Sequence, residues 1–296
     1  MVVSILGTRG CGLSTFIGLF LQTIERYTAK HSKQFIFFVR SETGEAVYEI
    51  KNHLLMGKYP PVNPTKEKTR IRFILGYKPP IGKRLTIKQK GKWVSSRVEV
   101  HDASSVLGKD SGIGVLSRRA RVYSDSKVLG FVVDGSKATS LKTGKRHDKM
   151  LKYDKELSLL LSSLLKNRNL TEKERQLQPI MIINKIDLLE KKVKEKVEIK
   201  RIEGEYSEDE ATEVGNTLFE TYLKDSYKTI SDYGTKYYFS WVEKDDKNRL
   251  KVERSEEWRR AHNVYPYHMY EALVLYLRKM TFLYPDKIKD FKELQK

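Results

Sequence analysis

Apolar residues in this chain fall into short blocks separated by glycines, prolines and charged runs. The first block, Val2-Val-Ser-Ile-Leu6, is β-rich and stops at Gly7. After the glycine-punctuated stretch 7–12, apolar positions return at helical spacing from Leu13 to about residue 29. Strand, glycine loop and helix in that order open a βαβ unit. Residues 34–39 predict a buried strand, and 43–58 a helix that ends near Gly57. The prolines of Tyr59-Pro-Pro-Val-Asn-Pro-Thr65 each remove a donor and fix φ, so this stretch is an extended loop.

Alternating apolar and polar positions over 69–75 and 96–102 predict half-exposed strands, with a turn or small hairpin at 79–93 between them. The runs 128–133 and 179–183 are continuously apolar, as parallel strands buried on both faces should be. Residues 151–165 and 218–230 predict helices, 236–242 a strand, and 268–279 a closing amphipathic helix. The charged stretch 188–213 is expected to be exposed helix and loop. Apolar strands alternating with helices give an α/β fold, a three-layer sandwich on a mainly parallel sheet.

Composition narrows the setting. The chain has 296 residues, 57 Lys+Arg against 38 Asp+Glu, a net charge of +19 and 39% hydrophobic residues. It is therefore no disordered tail and can bury a sizeable core. The single cysteine, Cys11, excludes a disulfide scaffold and a Cys-rich zinc site, and suits a reducing compartment. With no apolar run near bilayer length, a soluble cytoplasmic protein is expected. The positive charge fits an acidic protein, nucleic acid or an anionic membrane surface as partner, or only a solvated surface, since acids are interspersed with the bases.

Three elements carry chemistry. In Gly7-Thr-Arg-Gly-Cys-Gly12-Leu13-Ser14-Thr15 the glycine spacing and hydroxyl of a phosphate-binding P-loop are present between strand and helix. Such a loop turns backbone N–H groups and a helix N-terminus toward phosphate. Leu13 stands where the lysine would be, and a glycine-rich turn also serves plain packing. Asn184-Lys-Ile-Asp187 follows an apolar strand, where side chains face the ligand crevice of an open sheet. Asp187 can accept from guanine N1 and N2, a donor pair adenine lacks. Asn184 can address the other edge of the base, and the Lys185 stem its face. Asp102 ends another strand and could hold Mg²⁺ through water opposite Ser14, or cap a helix. Thr65 lies in the proline-rich loop ahead of that strand.

This ordered set resembles the P-loop GTPases of the translation-factor and Ras-like class, over roughly residues 1–242. The resemblance implies a P-loop NTPase-like single domain with expansions at about 34–58 and 188–235 and a helical C-terminal segment at about 255–296. It implies Mg²⁺ with GTP or GDP as the ligand. Gly7, Arg9, Gly10, Cys11, Gly12, Leu13, Ser14 and Thr15 would surround the phosphates. Ser14, Thr65 and Asp102 would serve the metal, and Asn184, Lys185, Asp187, Ser240 and Trp241 the guanine. Thr65 and Arg9 are the catalytic candidates. The loop 57–61 bears a looser likeness to large GTPase-like families of prokaryotes. Two departures stand out: Leu13 supplies no charge, and Ser105-Val106 replaces a glycine and a water-orienting side chain. Slow or partner-stimulated hydrolysis is expected. A pseudo-GTPase scaffold that does not hydrolyse nucleotide, with nucleotide bound or with none, and a basic nucleic-acid-binding protein are the competing readings.

Overall fold

Continuous apolar strands can be buried only in the middle of a sheet, and the computed structural model places them there. It describes residues 2–8, 10–30, 35–39, 44–60, 70–77, 94–102, 126–166, 179–199, 207–242, 244–247, 249–250, 252–253, 263–264, 266–267, 273, 276–277 and 286–287. Four parallel strands form the core of the sheet: β1 (Val2–Gly7), β5 (Ser126–Asp134), β6 (Ile180–Asn184) and β7 (Lys236–Val242). On the far side of β1, β4 (Val94–Asp102) joins in parallel. Two antiparallel strands, β3 (Arg70–Tyr77) and β2 (Phe35–Val39), extend that edge. At the other edge the short strand Pro266–Tyr267 runs antiparallel to β7, so the order is β7-β6-β5-β1-β4-β3-β2 within the larger sheet. Every residue of β6 is buried.

Helices pack against this sheet. α1 (Leu13–Lys30) buries Phe16, Ile17, Phe20, Leu21 and Ile24, one face at helical spacing. It meets α2 (Gly44–Leu55) at Gly18, where a Cβ would collide with Ile50 and Leu54, and Lys51 pairs with Glu25 beside that contact at 2.7 Å. α3 (Lys145–Lys166) starts six residues before its apolar pattern, just after Gly144 at φ 95°. Its buried face runs Met150, Tyr153, Leu157, Leu161 and Leu164.

The stretch 188–213 differs from expectation. Between its lysines, Leu189, Val193, Val197 and Ala211 are buried, so it contributes to the core. It holds α4 (Lys191–Lys196) and the start of α5 (Glu208–Tyr222), opened by a capping box between Ser207 and Glu210. The single helix expected at 218–230 breaks at Leu223, after which α6 (Lys224–Ile230) begins. Within 255–296 the described residues include helical Leu273, Tyr276 and Leu277, all buried, together with the strand pairs Asn263–Val264, Pro266–Tyr267 and Asp286–Lys287. The expected extra strand and helix at 34–58 are β2 and α2. The turn expected at 79–93 lies outside the described residues. Among the described residues no helix is long and apolar enough to cross a membrane.

Candidate functional site

The parallel strands end together. In the sheet register Gly7 stands beside Asp102 on one side and Val132 on the other, Asp134 beside Asn184, and Asn184 beside Ser240. Strand β1 is also where the sheet order reverses, because the chain adds β4 on one flank and then crosses to β5 on the other. In open α/β sheets that is the place of the ligand crevice. The glycine loop, Asp102, the Asn184–Asp187 stretch and Ser240 therefore converge at one sheet edge.

The loop is held from behind. Cys11 N–H donates to the Thr8 carbonyl at 3.1 Å, closing a turn, and Phe16 N–H donates to Gly12 at 2.9 Å, starting α1. Asn184 Nδ2 donates to the Cys11 carbonyl at 2.9 Å and to Gly12 at 3.4 Å, while Lys185 Nζ donates to the Gly10 carbonyl. Three successive carbonyls are thus turned toward the Asn-Lys pair. Fixing the carbonyls on that side leaves the N–H groups at the start of α1, which have no intrahelical acceptor, for the other side. Gly10 and Gly12 make the geometry possible with φ of 78° and 84°. Replacing Gly12 by alanine should cost about 1–2 kcal/mol for the left-handed backbone alone. Its Cβ would also stand 2.6 Å from Asn184 Nδ2. Thermal unfolding of Gly12→Ala should show the lower stability.

Asp134 joins the two motifs. It is 2% exposed and accepts from Lys185 Nζ at 3.0 Å and from the Ser136 N–H and hydroxyl. A buried carboxylate needs such partners. Its own N–H donates to Tyr153 Oη at 2.8 Å, and that hydroxyl lies 3.2 Å from Thr8 Oγ1. Lys185 takes the left-handed conformation, φ 59°, which the contacts at both its ends maintain. Neither Asp134 nor Tyr153 stands out in the sequence. Asp134 ends a strand of the sheet as Asp102 does, and that position could have revealed it. Tyr153 reads only as one apolar position on a helix.

Asp187 follows in a short 3₁₀ turn, half-buried. Burial raises its carboxyl above the usual carboxylate range, against the pull of Lys244, Lys194 and Lys185 nearby. Tyr59 is 45% exposed, and burial together with the Asp187 charge raises its phenol. Lys194 Nζ donates to the Asp187 carbonyl at 2.8 Å. Next to this turn, Glu190 accepts from Thr139 Oγ1 at 2.7 Å and Ser140 Oγ at 2.8 Å, which ties the segment after β5 to the segment after β6. Those hydroxyls hold its carboxyl below its ordinary value.

Three of the expected site residues have side chains engaged within the fold. Asn184 was expected to address the base, but its amide is committed to the loop carbonyls and its Oδ1 to Lys185 N–H at 2.9 Å. Leu13 is partly buried and packs against the core, lying against Gly7. Cys11 is fully buried beneath the same glycine. Ser14 and Thr15 are half-exposed in the first turn of α1, Ser240 is buried at the end of β7, and Trp241 is half-exposed beside Tyr267. Arg9, Thr65, Ser105 and Val106 lie outside the described residues. Among the described residues no group of three or more His, Cys, Asp or Glu could hold a metal ion.

The chain matches no family model, and no curated protein matches it.

Proposed function

We propose that this chain is a guanine-nucleotide-binding P-loop protein built as a three-layer sandwich, acting as a GTP-dependent switch with slow or partner-stimulated hydrolysis. The observation that carries the reading is the back-bonding of Gly10, Cys11 and Gly12 to Asn184 and Lys185, which joins the two motifs into one site. A glycine turn serving only packing has no need of an asparagine and a lysine from the end of β6, two strands away in the sheet. The loop amides and the N-terminus of α1 bind phosphate. Asp187 receives guanine N1 and N2, the Lys185 stem covers one face of the base, and Tyr59 stands at the rim of that pocket.

Two observations support a magnesium ion bound with the nucleotide: Ser14 is half-exposed in the first turn of α1, and Asp102 stands in register with Gly7. Ser14 and Asp102, with Thr65, would hold it. Such an ion supplies positive charge to the outer phosphates. Leu13 supplies none, so the loop grips the phosphates through backbone amides. One observation favours a nucleotide-bound scaffold as the second reading: Leu13 packs against the core where a phosphate-facing lysine would start.

Thermal unfolding of the purified chain in Mg²⁺ buffer tests the binding. GDP and a slowly hydrolysed GTP analogue at about 100 times their Kd should stabilise the fold by about 2.7 kcal/mol, and ADP and ATP should not. Phosphate release from GTP, with and without cell extract, then separates switch from scaffold. No shift with any guanine nucleotide would remove both readings.

A further inference from the structure

We propose that Tyr153 is a positioning residue for the glycine loop: its hydroxyl grips the loop at Thr8 while Lys185 grips it at Gly10, and both grips are anchored on Asp134. The Tyr153 oxygen accepts the Asp134 N–H at 2.8 Å and hydrogen-bonds Thr8 Oγ1 at 3.2 Å, so one hydroxyl joins the end of β5 to the loop. Thr8 is buried and its carbonyl accepts the Cys11 N–H that closes the turn, so a pull on Thr8 acts on the loop itself. The second grip starts from the same residue, because the Asp134 carboxylate holds Lys185 Nζ at 3.0 Å and that ammonium donates to Gly10. One anchor with two arms thus holds the loop at Thr8 and at Gly10.

Tyr153 belongs to α3, outside every nucleotide motif in the sequence. It is 7% exposed on the buried face of that helix, and burial raises its phenol so far that it keeps its proton throughout the working range. A buried hydroxyl with two hydrogen-bond partners is costly to replace by a group that leaves them unpaired. Packing alone would have been met by phenylalanine, whose ring fills the same space. The hydroxyl is what reaches the loop.

That the held amides bind phosphate rests on the nucleotide reading; that Tyr153 holds the loop does not. Cys11 lets the two be tested apart. It is the chain's single cysteine, fully buried against Gly7, so its alkylation reports opening of the loop. Tyr153→Phe and Thr8→Val remove the same bond from opposite ends, and Thr8→Val leaves the Asp134–Tyr153 bond in place. With N-ethylmaleimide under native conditions, each variant should be alkylated roughly 10-fold faster than the parent, as expected for the loss of about 1.4 kcal/mol of loop closure. The double variant should be no faster than the quicker single one. Calorimetry should show the affinity ratio of GDP to GMP falling by a similar factor, with GMP itself within about two-fold. Faster alkylation in a chain that binds neither nucleotide would support the clamp and remove the nucleotide reading. Unchanged alkylation in both variants, or acceleration that tracks global unfolding in urea, would overturn the proposal.

Discussion

Asp187→Ala should abolish selective guanine binding while leaving the protein folded. The ionised carboxylate would accept two charge-assisted hydrogen bonds from the base, each worth about 1.5–3 kcal/mol, so GDP affinity should fall by roughly 10²–10⁴-fold. Calorimetry in Mg²⁺ buffer measures this directly. The empty protein should not suffer. Burial raises the Asp187 carboxyl above its unfolded value, so ionising it works against the folded state. Stability associated with that proton is present below the unfolded pKa and is lost as pH rises through the folded one. At neutral pH Asp187→Asn should therefore melt no lower than the parent. The same shift sets a pH dependence for binding: guanine affinity should weaken on acidification sooner than an ordinary aspartate would allow, because a protonated carboxyl cannot accept from both N1 and N2.

Asp154→Ala should produce the largest loss of stability outside the hydrophobic core. Asp154 lies on α3, 4% exposed, and accepts from the N–H groups of Asp225 and Ser226, both at 2.9 Å, and from Ser226 Oγ at 2.6 Å. It thus caps the first turn of α6 from another helix, placing a negative charge at that helix's N-terminus. Alanine would leave two backbone amides without their acceptor, while the Ser226 hydroxyl keeps the carbonyl of residue 154 at 3.1 Å. Removing such a set costs about 2–4 kcal/mol, a fall of roughly 3–6 °C in Tm for a chain of 296 residues. Differential scanning calorimetry reads it, and a shift under about 2 °C would show that water replaces the carboxylate.

This cap also explains where sequence pattern stops short. Apolar spacing over 218–230 is unbroken, yet Leu223 leaves helical geometry because Asp154 captures the amides that follow. No local feature of 218–230 records a carboxylate about 70 residues earlier. In the same way α3 begins at Lys145 because Gly144 permits the turn into it, although 145–149 shows no apolar face. Val193 and Val197 form a buried pair one turn apart, too sparse among lysines to announce a core. By contrast the central strands were legible, since only burial on both faces tolerates runs such as Val128–Val133 and Ile180–Ile183.

The candidate site divides along the same line. The glycine loop and Asn184–Asp187 could be singled out because a left-handed backbone, seen at Gly10 and Gly12, and the proposed base recognition each demand particular residue types in order. That the two touch was not legible, and contact changes their roles: Asn184 and Lys185 hold the loop's carbonyls instead of standing free. Asp134 and Tyr153 act through single hydrogen bonds across the fold, which leave no spacing in the sequence. Leu13 was legible as a departure, but only packing shows that it closes over Gly7.

The most direct test is a calorimetric titration of the intact chain, in Mg²⁺, with GDP and with ADP. A loop fixed to an Asn-Lys-Ile-Asp turn predicts saturable GDP binding at least about 100-fold tighter than ADP, the difference being the two hydrogen bonds to Asp187. Equal affinity for the two nucleotides, or no heat from either at millimolar concentration, would contradict it.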